Sequence, residues 1–305
     1  MIDAFIDVLE QFPRGLVYVA MGVALLAIAR LAQDVVTPYK IQVQLRDHDN
    51  VALALSITGY YLGIIIVFLG AVYQPVTQTA DGIFTWGFTT EYWEDVLRVL
   101  VYSLVGIVVL NIARIVVDKL VLYKFSTEKE IIDDHNAGTG AVEFAVYVGV
   151  GLVIAASIAG GGGDSETSEI SQALTSLAFL GMGLVVLILY TLFYELTTSF
   201  DVHDEIERDN VAVGVALGGN LIAISIVVFK AVAGEFVGWT DGAAGFLTYA
   251  VFGFILLFVV RFAVDMVLFP KVKVADELVK DRNLGVAYIE GTSVISVAMI
   301  LFFAI

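Results

Sequence analysis

The chain has 305 residues, of which 59% are hydrophobic and only 16% charged, and its formal net charge is −16. Soluble domains contain about 45–50% apolar residues, so this composition excludes a water-soluble globular protein as well as a disordered one. The lack of cysteine excludes disulfides and thiolate chemistry, and the acidic surplus argues against a nucleic-acid partner and suggests a halophilic source.

Eight apolar runs along the chain are long enough to cross a bilayer core of about 30 Å as helices. The sequence therefore predicts an all-α polytopic membrane protein with the lipid bilayer as its surroundings; transmembrane β-strands would be shorter and would alternate in polarity. The predicted spans are 15–36, 51–72, 96–118, 139–160, 173–195, 211–233, 245–268 and 285–305.

The distribution of lysine and arginine predicts the orientation, because cytoplasmic loops carry the excess of these residues. Ten of them follow the odd spans: Lys40, Arg46, Lys119, Lys124, Lys129, Arg208, Lys271, Lys273, Lys280 and Arg282. The opposite side has only Arg14, Arg98 and Lys230, close to span ends. We therefore expect a multi-pass protein of the cell membrane with both termini outside.

An internal repeat organises the chain. Each even span begins at an asparagine that follows a charged stretch, and the asparagines are Asn50, Asn136, Asn210 and Asn283. A span, a charged cytoplasmic stretch, an asparagine and a returning span thus form one unit, which occurs four times.

The four units alternate, which indicates a duplicated pair. Seven residues after the asparagine, units 2 and 4 carry Glu143 and Glu290, whereas units 1 and 3 carry Ile57 and Leu217. We therefore predict two similar four-span halves, residues 1–160 and 161–305.

Odd spans end in an Arg-x-x-x-Asp pair in three units, and these pairs are Arg30/Asp34, Arg114/Asp118 and Arg261/Asp265. Unit 3 has Tyr190 and Tyr194 at those places.

Two of the asparagine segments carry a family resemblance. The runs Asp49-Asn50-Val-Ala-Leu-Ala-Leu and Asp209-Asn210-Val-Ala-Val-Gly-Val, the first preceded by Thr37-Pro38-Tyr39, resemble the domain of unknown function 350 family of small membrane proteins. Members typically have two such units, whereas this chain has four. Units 2 and 4 depart from the pattern with His135-Asn136 and Arg282-Asn283. The resemblance implies a polytopic membrane protein and brings no established activity.

The asparagines have two interpretations. Asparagine is a good N-cap residue for the first turn of a helix. Asparagine also has two N–H donors, which could bind carbonyl groups of a neighbouring unit and connect the four units into a ring.

The intramembrane charges are the candidate functional residues. Glu143 and Glu290 lie about 10 Å into their helices, at 1.5 Å per residue, and ionisable groups at such depth are functional candidates. Arg114 and Arg261 lie at a similar depth and could pair with them, as a purely structural ion pair would. Five carboxylates nevertheless face three arginines: Asp34, Asp118, Asp265, Glu143 and Glu290 against Arg30, Arg114 and Arg261.

Two classes of function follow. One is a transporter or channel for protons or small cations, with the two glutamates as carriers. The other is a membrane scaffold or a subunit of a complex, with a cytoplasmic protein or a second copy as its partner.

We expect no enzyme, cofactor or metal site, because no hydrolase or metalloprotease motif is present. The histidines His48, His135 and His203 are expected on solvated surface. Glycine pairs such as Gly59-x-x-x-Gly63 and Gly214-x-x-x-Gly218 predict close helix packing.

Overall fold

The computed structural model describes residues 2–78, 90–160, 169–233 and 238–304, and these residues form helices joined by short connections. Eight helices are long and apolar enough to cross a membrane, which confirms the predicted all-α polytopic fold. The long helices are α1 (Ile2–Val36), α3 (Val51–Gln78), α4 (Thr90–Val121), α6 (Ala137–Gly160), α7 (Glu169–Thr197), α9 (Val211–Val232), α10 (Trp239–Leu268) and α12 (Leu284–Ala304). The short helices are α2 (Ile41–Asp47), α5 (Thr127–Ile132), α8 (Val202–Glu207) and α11 (Val274–Val279).

Some long helices extend beyond the predicted apolar runs. Helix α4 begins six residues before the predicted span, and α1 contains Pro13, which the sequence had placed before its span. The apolar runs mark only the part of a helix that suits hydrocarbon. Backbone hydrogen bonding continues into the polar residues on either side.

Each charged stretch between the two spans of a unit folds as a short helix. The residue before each asparagine has positive φ, and these residues are Asp49, His135, Asp209 and Arg282 with φ of 47°, 54°, 57° and 47°. This left-handed residue ends the short helix and lets the asparagine begin the next one. Aspartate tolerates this conformation better than arginine does, so Asp-Asn is the pattern with less backbone strain.

The second spans of the four units form a row. Helix α3 packs on α6, α6 on α9, and α9 on α12. Glycine makes these contacts possible: a Cβ atom on Gly59 would lie 2.4 Å from the Cα of Phe144, and one on Gly219 would lie 2.5 Å from the Cα of Gly291. Gly63 and Gly214 are equally close to backbone of the neighbouring helix.

The first spans of the units form another row, which lies alongside the row of second spans. Helix α4 contacts both α3 and α6, α7 contacts both α6 and α9, and α10 contacts both α9 and α12. Helix α1 packs on α3 and α4. The two middle helices, α6 and α9, are the most buried spans, whereas α3 and α12 are the ends of the row.

Candidate functional site

The four asparagines all hydrogen-bond to the first turn of the helix that they precede. The Oδ1 of Asn50 accepts from the backbone N–H of Leu53 at 2.9 Å, and that of Asn136 accepts from Thr139 at 3.0 Å. Asn210 does the same with Val213, and Asn283 with Gly285 and Val286. The capping interpretation therefore describes all four sites.

Three of the asparagines also connect one unit to the next. Their Nδ2 groups donate to carbonyl oxygens of the next unit's short helix: Asn50 to Ile131 at 2.7 Å, Asn136 to Ile206 at 2.6 Å, and Asn210 to Leu278 at 2.9 Å. The expected links between units are thus present. The units form an open row, however, and not the ring that the sequence suggested, because α12 packs on α9 and not on α3 among the helix pairs in extensive contact.

A second partner of each asparagine was missed at the sequence level. Five or six residues earlier, a glutamate or glutamine of the short helix accepts from the same Nδ2. The pairs are Asn50 with Gln44, Asn136 with Glu130, Asn210 with Glu205, and Asn283 with Glu277. The recurrence of these side chains before each asparagine is a signal that could have identified them.

The carboxylate of Glu290 lies in a buried polar cluster between α7, α10 and α12. Arg261 donates from Nε to Oε1 of Glu290 at 2.9 Å and from Nη1 to Oγ1 of Thr198 at 3.1 Å. Its guanidinium carbon lies 4.3 Å from the ring centroid of Tyr194, in cation–π contact. The sequence predicted the Arg261–Glu290 pair but missed Tyr194 and Thr198 as its companions.

Three buried polar atoms of this cluster have no hydrogen-bond partner among the residues that the structure describes. They are Oε2 of Glu290, Oδ1 of Asp265 and the hydroxyl of Tyr194. Asp265 is close enough to Glu290 and Arg261 to interact with both electrostatically. One guanidinium therefore faces two carboxylates, and the cluster has a formal charge of −1 when both are ionised.

Glu143 is equally buried, with 1% of its surface exposed. The hydroxyl of Ser56, from the neighbouring unit, donates to Oε2 of Glu143. The side chains of Arg114 and Asp118 are outside the described residues, so the proposed partnership between Arg114 and Glu143 stays a prediction. Arg30 and Asp34 are on an exposed face of α1.

Unit 3 replaces the arginine with a neutral hydrogen bond. The hydroxyl of Tyr190 and Oδ1 of Asn220 are 3.1 Å apart, and both residues are buried. Since Asn220 also donates to the carbonyl of Ala216, the phenol supplies the donor that its Oδ1 needs. The third unit thus has a polar pair without net charge at this place.

His203 does not lie on solvated surface as expected, since only 1% of it is exposed. Its Nδ1 lies 3.1 Å from Oε2 of Glu195, and its Nε2 lies 2.6 Å from the carbonyl oxygen of Val121. Glu195, Asp201 and His203 offer ligand atoms within 4.8 Å of one another. The ammonium group of Lys124 hydrogen-bonds to Asp201 and supplies a positive charge to this cluster. Together with the backbone N–H of Asp204, it lowers the pKa of Asp201 to about 2. We assign no metal ion to the cluster.

The fold and the repeated asparagine motif define a class of protein: a polytopic α-helical membrane protein built from repeated two-span units. The family model described as Domain of Unknown Function (DUF350) matches residues 7–158 and 168–305. The chain belongs to this family, and the two matched segments lie on either side of the predicted junction between halves.

Two curated proteins illustrate what the chain is similar to. A "UPF0719 transmembrane protein" of Aquifex aeolicus (strain VF5) is 26% identical over 262 residues, which cover 86% of this chain and 88% of that protein. The "UPF0719 transmembrane protein YshE" of Bacillus subtilis (strain 168) is 28% identical over 127 residues, 40% of this chain and 84% of that protein. No solved structure matches the chain.

Proposed function

We propose that this membrane protein conducts or transports protons or small cations, and that Glu290 and Asp265 exchange the transported ion. The observation that supports this function is the pair of buried carboxylate oxygens without a hydrogen-bond donor among the described residues. A buried anionic oxygen without a partner costs several kcal/mol. A proton or a small cation at this place would supply the missing partner.

The charges of the cluster favour an exchangeable ion over a purely structural pair. The single guanidinium of Arg261 is committed to Oε1 of Glu290 and to Thr198. A structural ion pair needs one carboxylate per arginine, and this cluster has two. The second carboxylate is therefore the group whose charge has to be compensated by an ion or a proton.

Polar groups continue from the cluster in both directions along the membrane normal. Asp265 follows Arg261 by four residues in α10. It therefore lies about 6 Å nearer the predicted cytoplasmic end of the helix. In the other direction, Tyr190 precedes Tyr194 by one helical turn and bonds to the buried Asn220. These side chains, arranged in series, form the proposed path for a proton, because proton transfer requires a succession of hydrogen-bonding groups.

A second candidate is the scaffold function, and the tight packing of the rows favours it. Glycine brings backbones of neighbouring second spans into contact, and the second spans are continuous helices through the described residues. In this alternative, Arg261 and Glu290 are a structural pair. Truncating one partner of a buried pair would then cost about 3–5 kcal/mol.

The deciding experiment measures ion flux and thermal stability on the same variants, reconstituted in vesicles with an imposed pH gradient. If Glu290 carries the ion, Glu290→Gln and Asp265→Asn abolish or strongly change pH-dependent flux, and the protein stays folded because Gln still accepts from Arg261. Glu143→Gln tests the equivalent site of the first half. Thr248→Val is the control, since Thr248 is exposed on α10 and bonds within its own helix.

A loss of stability without a change in flux would support the scaffold function. Unchanged flux together with a lowered melting temperature for Glu290→Gln contradicts the transport function. A wild-type protein that moves no protons or alkali cations in any of these vesicles also contradicts it.

A further inference from the structure

We infer that a second copy of this chain docks head to tail, with α12 of one copy packed against α3 of the next. This contact would repeat between copies the interface that joins consecutive units within the chain. The inference rests on the internal interfaces and is independent of the transport function.

The three internal interfaces share one register. In each, the residue nine places after the asparagine of one unit lies against the residue eight places after the asparagine of the next unit. The pairs are Gly59 with Phe144, Ala145 with Gly218, and Gly219 with Gly291. In the same register, Thr292 of α12 would meet Thr58 of α3 in a second copy, and both threonines are exposed. Each internal pair contains a glycine and this pair contains none, so α12 and α3 of two copies would cross at a wider spacing than the second spans within the chain.

A second set of positions agrees with this register. The residue two places after an asparagine lies against the residue four places after the next one, as in the contacts of Ala52 with Gly140 and of Gly138 with Gly214. At the ends of the row, the corresponding residues are Gly285 of α12 and Ala54 of α3. Gly285 is exposed and Ala54 is partly exposed. Both are small, so neither of them hinders the approach of the two helices at this point.

The hydrogen bonds from asparagines to the next unit leave one asparagine donor at the last unit of the row and one carbonyl acceptor at the first. Asn283 donates to Glu277, but among the described residues its Nδ2 has no carbonyl partner in another unit. The acceptors of the internal links precede the next asparagine by four or five residues. The corresponding carbonyl of unit 1 is that of Leu45 in α2, which receives no asparagine within the described chain. Head-to-tail docking brings Asn283 of one copy to this carbonyl of the other.

The first spans are arranged for the same contact. Helices α4, α7 and α10 each lie over two neighbouring second spans. Helix α1 makes extensive contact with only one second span, α3. Outside its contacts with α3 and α4, helix α1 has exposed apolar residues such as Val19 and Val23, whose exposures are 63% and 64%. Helix α12 of a second copy, packed on α3, would also lie beside α1 and cover part of its exposed surface.

All copies in one membrane have the same orientation, so this contact uses two different surfaces and is heterologous. Such a contact generates a closed ring when the rotation per copy closes and an open row when it does not. A ring of two copies uses both surfaces on the same neighbour, whereas a larger ring or the interior of a row joins each copy to two neighbours.

Cysteine cross-linking tests the contact, and the chain has no cysteine of its own. The variant Thr58→Cys/Thr292→Cys, oxidised in native membranes, should form disulfide-linked dimers, and a ladder of larger species where the assembly has more than two copies, since residues opposite each other at a helix crossing fall within disulfide range. Mixing the two single variants should give dimers and nothing larger. The control Leu177→Cys/Val251→Cys places thiols on α7 and α10 at positions of equal exposure, 57% each, and should give no ladder.

The absence of covalent dimers while both thiols of the double variant react with a maleimide would overturn the inference, since lipid then covers these faces. A ladder of equal yield from the control pair would overturn it as well, because random collision then explains both. Asn283→Ser keeps an N-cap oxygen and removes the amide donor. It should lower the association constant about fivefold, and an unchanged constant would contradict the proposed register.

Discussion

Asparagine at the start of the second span in units 1 to 3 performs three tasks with one side chain. Its Oδ1 caps the following helix, one Nδ2 hydrogen binds the acidic or amide residue of the short helix, and the other binds the next unit. Asn136 makes all three contacts, with Thr139, Glu130 and Ile206. Aspartate and serine also cap helices, but neither carries two N–H donors beside an acceptor. This requirement explains why asparagine occurs in units 1 to 3; in unit 4, Asn283 makes the cap and the local bond to Glu277.

The position of each asparagine in the row should determine what its loss costs. We expect Asn136→Ala to lower the free energy of unfolding by about 2–4 kcal/mol, since it removes a cap and leaves the carbonyl of Ile206 without its donor. Asn283→Ala should cost only about 1–2 kcal/mol because it removes a cap and a local bond. Denaturant titration in mild detergent, followed by circular dichroism, measures both. Equal losses for the two variants would show that the links between units contribute nothing.

At the scale of helices, glycine determines how closely the second spans approach. Gly59, Gly63 and Gly70 of α3 all lie against backbone atoms of α6. Lipid removes most of the hydrophobic driving force between helices, so close van der Waals packing has to hold them together. The glycine pairs that the sequence offered as packing motifs therefore lie at the interfaces of the row.

A methyl group at these contacts should separate the helices. In Gly59→Ala, the Cβ would lie 2.4 Å from the Cα of Phe144, and backbone cannot yield as a side chain can. We expect a loss of about 1–3 kcal/mol from overpacking. Gly181 of α7 is the matched control, because a Cβ there meets nothing within 4 Å. Gly181→Ala should be neutral or stabilising by up to about 1 kcal/mol. A neutral Gly59→Ala in thermal denaturation would contradict the tight packing.

At the scale of the whole molecule, the protein is two rows of helices with open ends. The two glutamates of the second spans, Glu143 and Glu290, lie inside the rows and not at their outer faces, since both are buried. Every short helix lies at the same end of the helix rows, because each connects a first span to the second span of its unit. The charged side of the molecule is thus assembled from four equivalent segments.

The orientation in the membrane is the prediction that belongs to this scale. The positive charges near the short helices predict that this side lies in the cytoplasm. Lys129→Cys, in α5, should react with a membrane-impermeant maleimide only after cells are opened. Asp241→Cys, in the first turn of α10, should react in intact cells. Labelling of both cysteines from the same side would contradict the eight-span topology.

The amino-acid sequence by itself determined the class of protein, the number of spans and the repeat. Apolar runs of about 20 residues have few alternatives to a spanning helix, since backbone polar groups must be satisfied inside hydrocarbon. The pairing of Arg261 with Glu290 also followed from depth along the helices. These properties depend on local composition and spacing, which a sequence displays directly.

Only the tertiary structure decided which surfaces meet. A row and a ring of four units have the same sequence pattern, and the difference lies in the rotation between neighbouring helices, which glycine contacts set by atomic approach. The burial of His203 and the contact of Tyr194 with Arg261 arise where helices from different units converge. The same holds for the oxygens of Glu290 and Asp265 that have no partner among the described residues. Such convergence depends on packing between residues far apart in the chain, and spacing along the chain does not record it.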